Sequence, residues 1–185
     1  MLMSLDISTS CTGLCVFDDQ NKLEYISHIE LSKHKDFYEK ASRIKSELID
    51  VYNRFSREGK PITKIAVEEN LQAFRPGLSS AKTLMTLAQF NGTVRWLCFE
   101  NFNITPVSIN VNSARKSIGL KINRKDKTRN TKEQVLEWVS NQEKSIIWPT
   151  KILKSGPNKG KVRICNESYD MADAYVIGKA YYCTY

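Results

Sequence analysis

Residues 5–18 read LDISTSCTGLCVFD. An apolar start runs into Asp6, small hydroxyl residues follow, and a second apolar stretch begins beyond Gly13. A carboxylate inside a buried strand is costly unless it is paired or binds a cation. Two chemistries open a chain this way. In one, the hydroxyl-rich hairpin grips a nucleotide phosphate. In the other, the aspartate holds metal ions over a phosphodiester backbone. The rest of the chain has to choose.

At 185 residues and 41% hydrophobic content, the chain is expected to bury one well-filled core and to form a single domain over 1–185. Its 28 Lys and Arg against 20 Asp and Glu leave +8, which suits a polyanionic partner without requiring one. No stretch approaches about 18 apolar residues, so no membrane span is expected. Asp6 interrupts the apolar region that a signal peptide would need. The five cysteines (Cys11, Cys15, Cys98, Cys165, Cys183) are scattered and form no C-x-x-C pair, against a zinc site or disulfide framework. A reducing compartment is expected, not secretion: the cytoplasm, the nucleoid, an organellar matrix, or a host cytoplasm for a viral protein.

Working outward, 2–8, 12–18 and 23–31 read as three short strands in a meander. In 36–59 the period changes: Phe37, Ala41, Ile44, Leu48, Val51 and Phe55 recur at helical spacing, and Gly59-Lys60-Pro61 supplies a stop. A compact strand over 62–70 ends in Glu68 and Glu69. Residues 79–102 predict a helix apolar on more than one side, and 104–110 a fifth strand. Helices are expected near 111–119, 131–141 and 169–182. The order predicts an α/β fold whose mixed five-stranded sheet is a meander feeding parallel crossovers.

Four acids stand out by position: Asp6 in the first strand, Glu68 ending the fourth, and Asp170 and Asp173, three apart on one face of the last helix. Alone, the last two read as an N-terminal cap and a dipole partner. Asp6 and Glu68 resist such an account. A cluster of them would repel itself, and hard divalent cations with oxygen ligands relieve that repulsion. His28 and His34 lie far in sequence from every one of these acids.

Asp in LDIS, Glu in IAVEEN and the late YDMADAY helix, with AKTLMTLAQFNGTVRWLCFE, ITPVSINVNSARKSIG and TKEQVLEWV between them in order, make the chain similar to the RuvC family of Holliday-junction resolvases within the RNase H-like superfamily. A phage or organellar-type member fits best. The resemblance spans nearly the whole chain. It implies an RNase H-like fold, with strands 1–3 a meander, strands 4 and 5 parallel, and the sheet flanked by helices. It also implies an endonuclease that resolves four-way DNA junctions by paired symmetric nicks through metal-activated water. Asp6, Glu68, Asp170 and Asp173 are the implied catalytic and metal-binding set, with two Mg²⁺ ions per site and Mn²⁺ able to substitute. Glu68, not Glu69, falls at the family position.

Thirteen of the 28 basic residues fall within 115–132 and 151–163. Arg115, Lys116, Lys121, Arg124, Lys125 and Lys132 are therefore candidate DNA contacts, since phosphate neutralisation supplies most sequence-tolerant affinity. Arg115 and Lys132 fall near positions where the family places such residues. The Ser155-Gly156-Pro157-Asn158 turn suggests a basic hairpin longer than the usual family loop. Where the family implies an aromatic junction wedge, this chain has Leu71, with Phe74 three residues on, and Arg75 beside them within reach of a phosphate. The wide apolar band of helix 79–102 matches the implied homodimer interface. Three rivals stand beside this reading. A related nuclease would act on flaps, forks or RNA–DNA hybrids. An inactive member of the superfamily would bind structured nucleic acid without cutting it. An actin- or sugar-kinase-like ATP-binding domain needs glycine-rich phosphate loops that eight glycines without a G-x-G do not provide.

Overall fold

The structure is a computed structural model that describes residues 1–69 and 81–184. Strands β1 (Leu2–Asp6), β2 (Cys11–Phe17) and β3 (Leu23–Glu30) form the expected meander, and helix α1 (Phe37–Arg57) crosses to β4 (Lys64–Glu68). Helix α2 (Ala81–Phe102) leads to β5 (Val107–Ile109), followed by α3 (Val111–Ser117) and α4 (Thr131–Gln142). A short hairpin, β6 (Thr150–Ile152) and β7 (Val162–Ile164), precedes the last helix, α5 (Glu167–Thr184). The main sheet has the order β3-β2-β1-β4-β5, with β1 antiparallel to β2 and parallel to β4, and β4 parallel to β5. The architecture is thus the mixed five-stranded α/β sheet read from the sequence.

Alternation along the strands sorts the chain into two layers. Met3, Leu5, Leu14, Val16, Ile65 and Val67 face α1 and α2, where Ala41, Ile44, Leu48, Val51 and Phe55 supply the buried stripe. Leu2, Cys15, Phe17 and Ala66 face α5, backed by α3 and α4. Asp36 caps α1 by accepting from the Tyr38 and Glu39 amides, and Asn130 with Glu133 forms a capping box on α4. Several expected elements are trimmed at their ends. The strand predicted over 104–110 is only Val107–Ile109, and α5 begins at Glu167, two residues before the predicted start. Asp170 therefore lies in the first turn of α5, not at a cap.

Beside Leu2 and Phe17, the side of the sheet under α5 carries a serine and a glycine where the helix passes closest. Ser4, in β1, is fully buried and its hydroxyl donates to the Ala174 carbonyl at 2.8 Å. Gly13 pairs with Asp6 across β1 and β2. A Cβ on Gly13 would lie 1.9 Å from the Asp170 carbonyl oxygen and 2.8 Å from the Met171 nitrogen. A Cβ on Gly178 would strike the Phe17 ring and the Ser4 hydroxyl. These two glycines let α5 lie directly against β1 and β2.

Candidate active site

Asp6 occupies the last position of β1 and Glu68 the last position of β4, its parallel neighbour. Both point to the α5 face, because Leu2 and Ser4 precede Asp6 by two-residue steps and Ala66 precedes Glu68 by one. Asp170 and Asp173 descend from the first two turns of α5. All four acids line one cleft of about 760 Å³, together with Ser8, Arg115, Thr131, Lys132, Asn166 and Tyr169. Four carboxylates separated by up to 167 positions in the chain thus share one cleft. Glu69 lies just past β4, its amide bonded to the Ile109 carbonyl and its carboxylate accepting from Asn110.

The electrostatics are those of crowded carboxylates. Burial, reinforced by the charges of Asp173, Glu68 and Asp170, pushes the Asp6 carboxyl well above its ordinary range. Glu68 is raised by burial and by Asp173, against a hydrogen bond with Asp6 and the pull of Arg115 and Lys132. Burial also raises Asp173, although Arg115 and Lys132 oppose it. Two cations from α3 and α4 enter the cleft: Arg115 donates to Asp173 at 3.3 Å and Lys132 to Asp170 at 3.2 Å. The Arg115 Nε is buried with no hydrogen-bond partner among the described residues.

Two basic side chains thus balance two of the four acids, and Asp6 and Glu68 lean on each other. Accordingly, no three carboxylate, imidazole or thiolate groups among the described residues already surround one point as a ligand set. The donor chemistry nonetheless fits a hard divalent cation: among the described residues the cleft is lined by carboxylate, hydroxyl and amide groups beside Arg115 and Lys132, with no cysteine or histidine in the lining. Neither His28 nor His34 lines it among the described residues.

The basic candidates divide into groups. Arg115, Lys116, Lys121 and Arg124 line a second hollow of about 360 Å³ that shares Arg115 and Thr131 with the acidic cleft. Lys132 sits in the acidic cleft itself, and Lys125 stands exposed outside both. Leu71, Phe74 and Arg75 lie outside the described residues. Asn166, Tyr169 and Gly13 were missed in the sequence. Asn166 stands just before α5, four residues ahead of Asp170, and Tyr169 lies in its first turn, four residues ahead of Asp173, so one helical turn back from each aspartate would have found them. The close approach of Gly13 to α5 leaves no local sequence signal.

The described residues contain no helix long and apolar enough to cross a membrane. No protein-family model and no curated protein sequence matches the chain. Solved structures do. Thermus thermophilus RuvC in complex with a Holliday junction is 16% identical, with a TM-score of 0.62 over 98% of this chain and 92% of that one. A second T. thermophilus RuvC structure is 16% identical, with a TM-score of 0.58 over 98% and 93%. The yeast mitochondrial Holliday junction resolvase is 14% identical, with a TM-score of 0.54 over 98% of this chain and 77% of that one. At this identity the likeness is one of architecture: the chain has the RuvC-type, RNase H-like fold over nearly its whole length.

Proposed function

We propose that the chain is a divalent-metal-dependent, structure-specific endonuclease that resolves four-way DNA junctions by paired nicks. The observation that carries this reading is the convergence of Asp6, Glu68, Asp170 and Asp173 on a single cleft whose rim is basic. The fold shared with a RuvC structure bound to a Holliday junction adds to it. In this reading the four carboxylates hold two Mg²⁺ or Mn²⁺ ions. Bound there, such ions polarise the scissile phosphate and lower the pKa of an attacking water. The chain's own residues do the rest. Asp6 and Glu68, fixed at adjacent strand ends, set the floor of the site. Arg115 and Lys132 draw a phosphate into the cleft and offset its charge beside the acids. Lys116, Lys121 and Arg124 in the adjoining hollow bind the neighbouring backbone, with Lys125 beyond them. Leu71, Phe74 and Arg75 are proposed to meet the branch point.

Paired nicks require two copies. Met85, Gln89, Gly92, Trp96 and Phe99 form an exposed strip on α2 at alternating steps of four and three, the spacing of a helix–helix seam. Met85 is 64% exposed and Trp96 56%. Beside the strip, Phe37, Tyr38 and Trp96 line an open groove. We assign this face to a homodimer.

Labelled four-way junction, fork, flap, linear duplex and RNA–DNA hybrid, incubated with and without Mg²⁺, test the proposal. Symmetric nicking of the junction alone, lost in Asp6→Asn, is the expected result. Preference for the fork, flap or hybrid would redirect the substrate class within the same chemistry. Binding without cleavage in Mg²⁺ or Mn²⁺ would sink the enzyme reading. ATP hydrolysis with no effect on DNA would replace it.

A further inference from the structure

The hairpin of β6 and β7 stands apart from both apolar layers. No residue of 150–164 belongs to either core, and all but Leu153 are exposed or at its foot. Among the described residues it is tied down only at its base, where the Cys165 amide donates to the Pro149 carbonyl at 2.8 Å and the Ser168 hydroxyl donates to the same oxygen at 3.4 Å. Two residues past β7 comes Asn166, which lines the acidic cleft.

Its charge pattern works against its own stability. Residues 151–163 contain Lys151, Lys154, Lys159, Lys161 and Arg163 and no acid. Lys151 and Arg163 are direct cross-strand partners. Paired residues project from the same face, so two like charges stand side by side, which destabilises a ribbon. Alternation places Ile152 and Val162 on the opposite face, 65% and 67% exposed. The ladder continues beyond the strands, with Leu153 donating to the Lys161 carbonyl at 3.0 Å, so Lys161 extends the cationic face. None of these five cations forms an ion pair with a described residue. A ribbon that buries nothing and opposes like charges is built for an external polyanion.

We propose that the face carrying Lys151, Lys161 and Arg163 grips the phosphate backbone of the duplex arm next to the cut strand. The inference rests on the junction-nuclease reading and extends it to a second, separate DNA contact. Four paired rows at about 3.4 Å each reach roughly 14 Å from the end of α5. At about 3.4 Å per phosphate along one strand, the Lys151–Arg163 row at about 7 Å and the Lys161 row at about 14 Å place the contact on the order of two to four nucleotides from the scissile phosphate.

The test measures junction affinity by fluorescence anisotropy in metal-free buffer at several salt concentrations. Each lost phosphate contact lowers the slope of log K against log salt by about 0.9. The triple variant Lys151→Gln, Lys161→Gln, Arg163→Gln should lower it by about 2 to 3. Wild-type protein on a junction with methylphosphonates about two to four nucleotides from the cut should show a similar drop, and that arm needs no variant to fold. The triple variant on the substituted junction should lose little more. An unchanged slope in both the variant and the substituted-DNA arms overturns the proposal while leaving the nuclease reading standing. Failure of the wild-type protein to bind any branched DNA overturns both.

Discussion

Gly13→Ala probes how the site is assembled. The new Cβ would lie 1.9 Å from the Asp170 carbonyl oxygen and 2.3 Å from its carbonyl carbon, both backbone atoms with no side chain to swing aside. Restoring ordinary contact at 3.4 Å requires β2 and the start of α5 to part by about 1.5 Å, which a close-packed interior resists. Overpacking of this kind costs about 1–3 kcal/mol. In a chain of this length each kcal/mol lowers the melting temperature by roughly 2–4 °C. The larger effect is on chemistry, because the displaced residue is Asp170 itself. A misplacement of about 1 Å at a reacting centre costs on the order of 10²-fold in rate. Single-turnover nicking of a four-way junction should fall by about that factor, while junction affinity in metal-free buffer changes little. Near-wild-type nicking and melting would refute the claim that Gly13 sets the distance between α5 and Asp6.

Other perturbations follow from the same packing and charges. Burial and mutual repulsion hold Asp6, Glu68 and Asp173 above their unfolded values, so the native state binds more protons than the unfolded chain above about pH 4. That contribution to stability is fully present below the unfolded pKa and is lost as pH rises through the folded one; in EDTA, Asp6→Asn should therefore melt increasingly above wild type from pH 4 to 7.5, and a pH-independent difference would contradict this. Gly178→Ala meets the Phe17 ring at 2.1 Å and the Ser4 hydroxyl at 2.7 Å, side-chain atoms beyond the acids, so calorimetry should show a loss of about 1–3 kcal/mol with nicking far better preserved than in Gly13→Ala. Trp96→Glu, at a position 56% exposed in the protomer, should convert a dimer to a monomer in light scattering while shifting intrinsic stability by no more than about 0.5 kcal/mol; a wild-type protein that is monomeric at high concentration would sink the interface assigned to α2.

What was legible in the sequence was whatever violates its local context. Asp6 and Glu68 announce themselves because an acid at the end of an apolar strand has no structural purpose there. The stripe of α1 was readable because one buried face repeats every three or four residues, and all five of its buried positions were expected. The basic hairpin was readable from its turn residues. What depends on contacts between distant segments was not. Arg115 pairs with Asp173 across 58 positions, and Gly13 meets Asp170 across 157; neither leaves a periodic or compositional trace. Helix α2 was seen to be broadly apolar, but only the packed structure separates the buried Phe90, Val94, Leu97 and Cys98 from the exposed Met85, Trp96 and Phe99.

The sheet order explains why LDISTSCTGLCVFD decides so much. From β1 the chain moves through β2 and β3 to one edge, then crosses by α1 to place β4 on the other side of β1. The direction of winding therefore reverses at β1, and open α/β sheets form their crevices outside the carboxyl ends of strands at such a reversal. Asp6 and Glu68 are the residues at those two carboxyl ends. A crevice alone would put two acids side by side with nothing above them. Gly13, directly opposite Asp6, removes the side chain that would otherwise hold α5 away, and so lets Asp170 and Asp173 line the same cleft. The hydroxyl run between them closes on itself, with the Ser8 hydroxyl donating to the Cys11 carbonyl at 2.6 Å and accepting from the Cys11 amide at 3.2 Å. That local closure leaves Ser8 and Ser10 at the lip of the cleft, while the aspartate before them and the glycine after them build its floor and set its height.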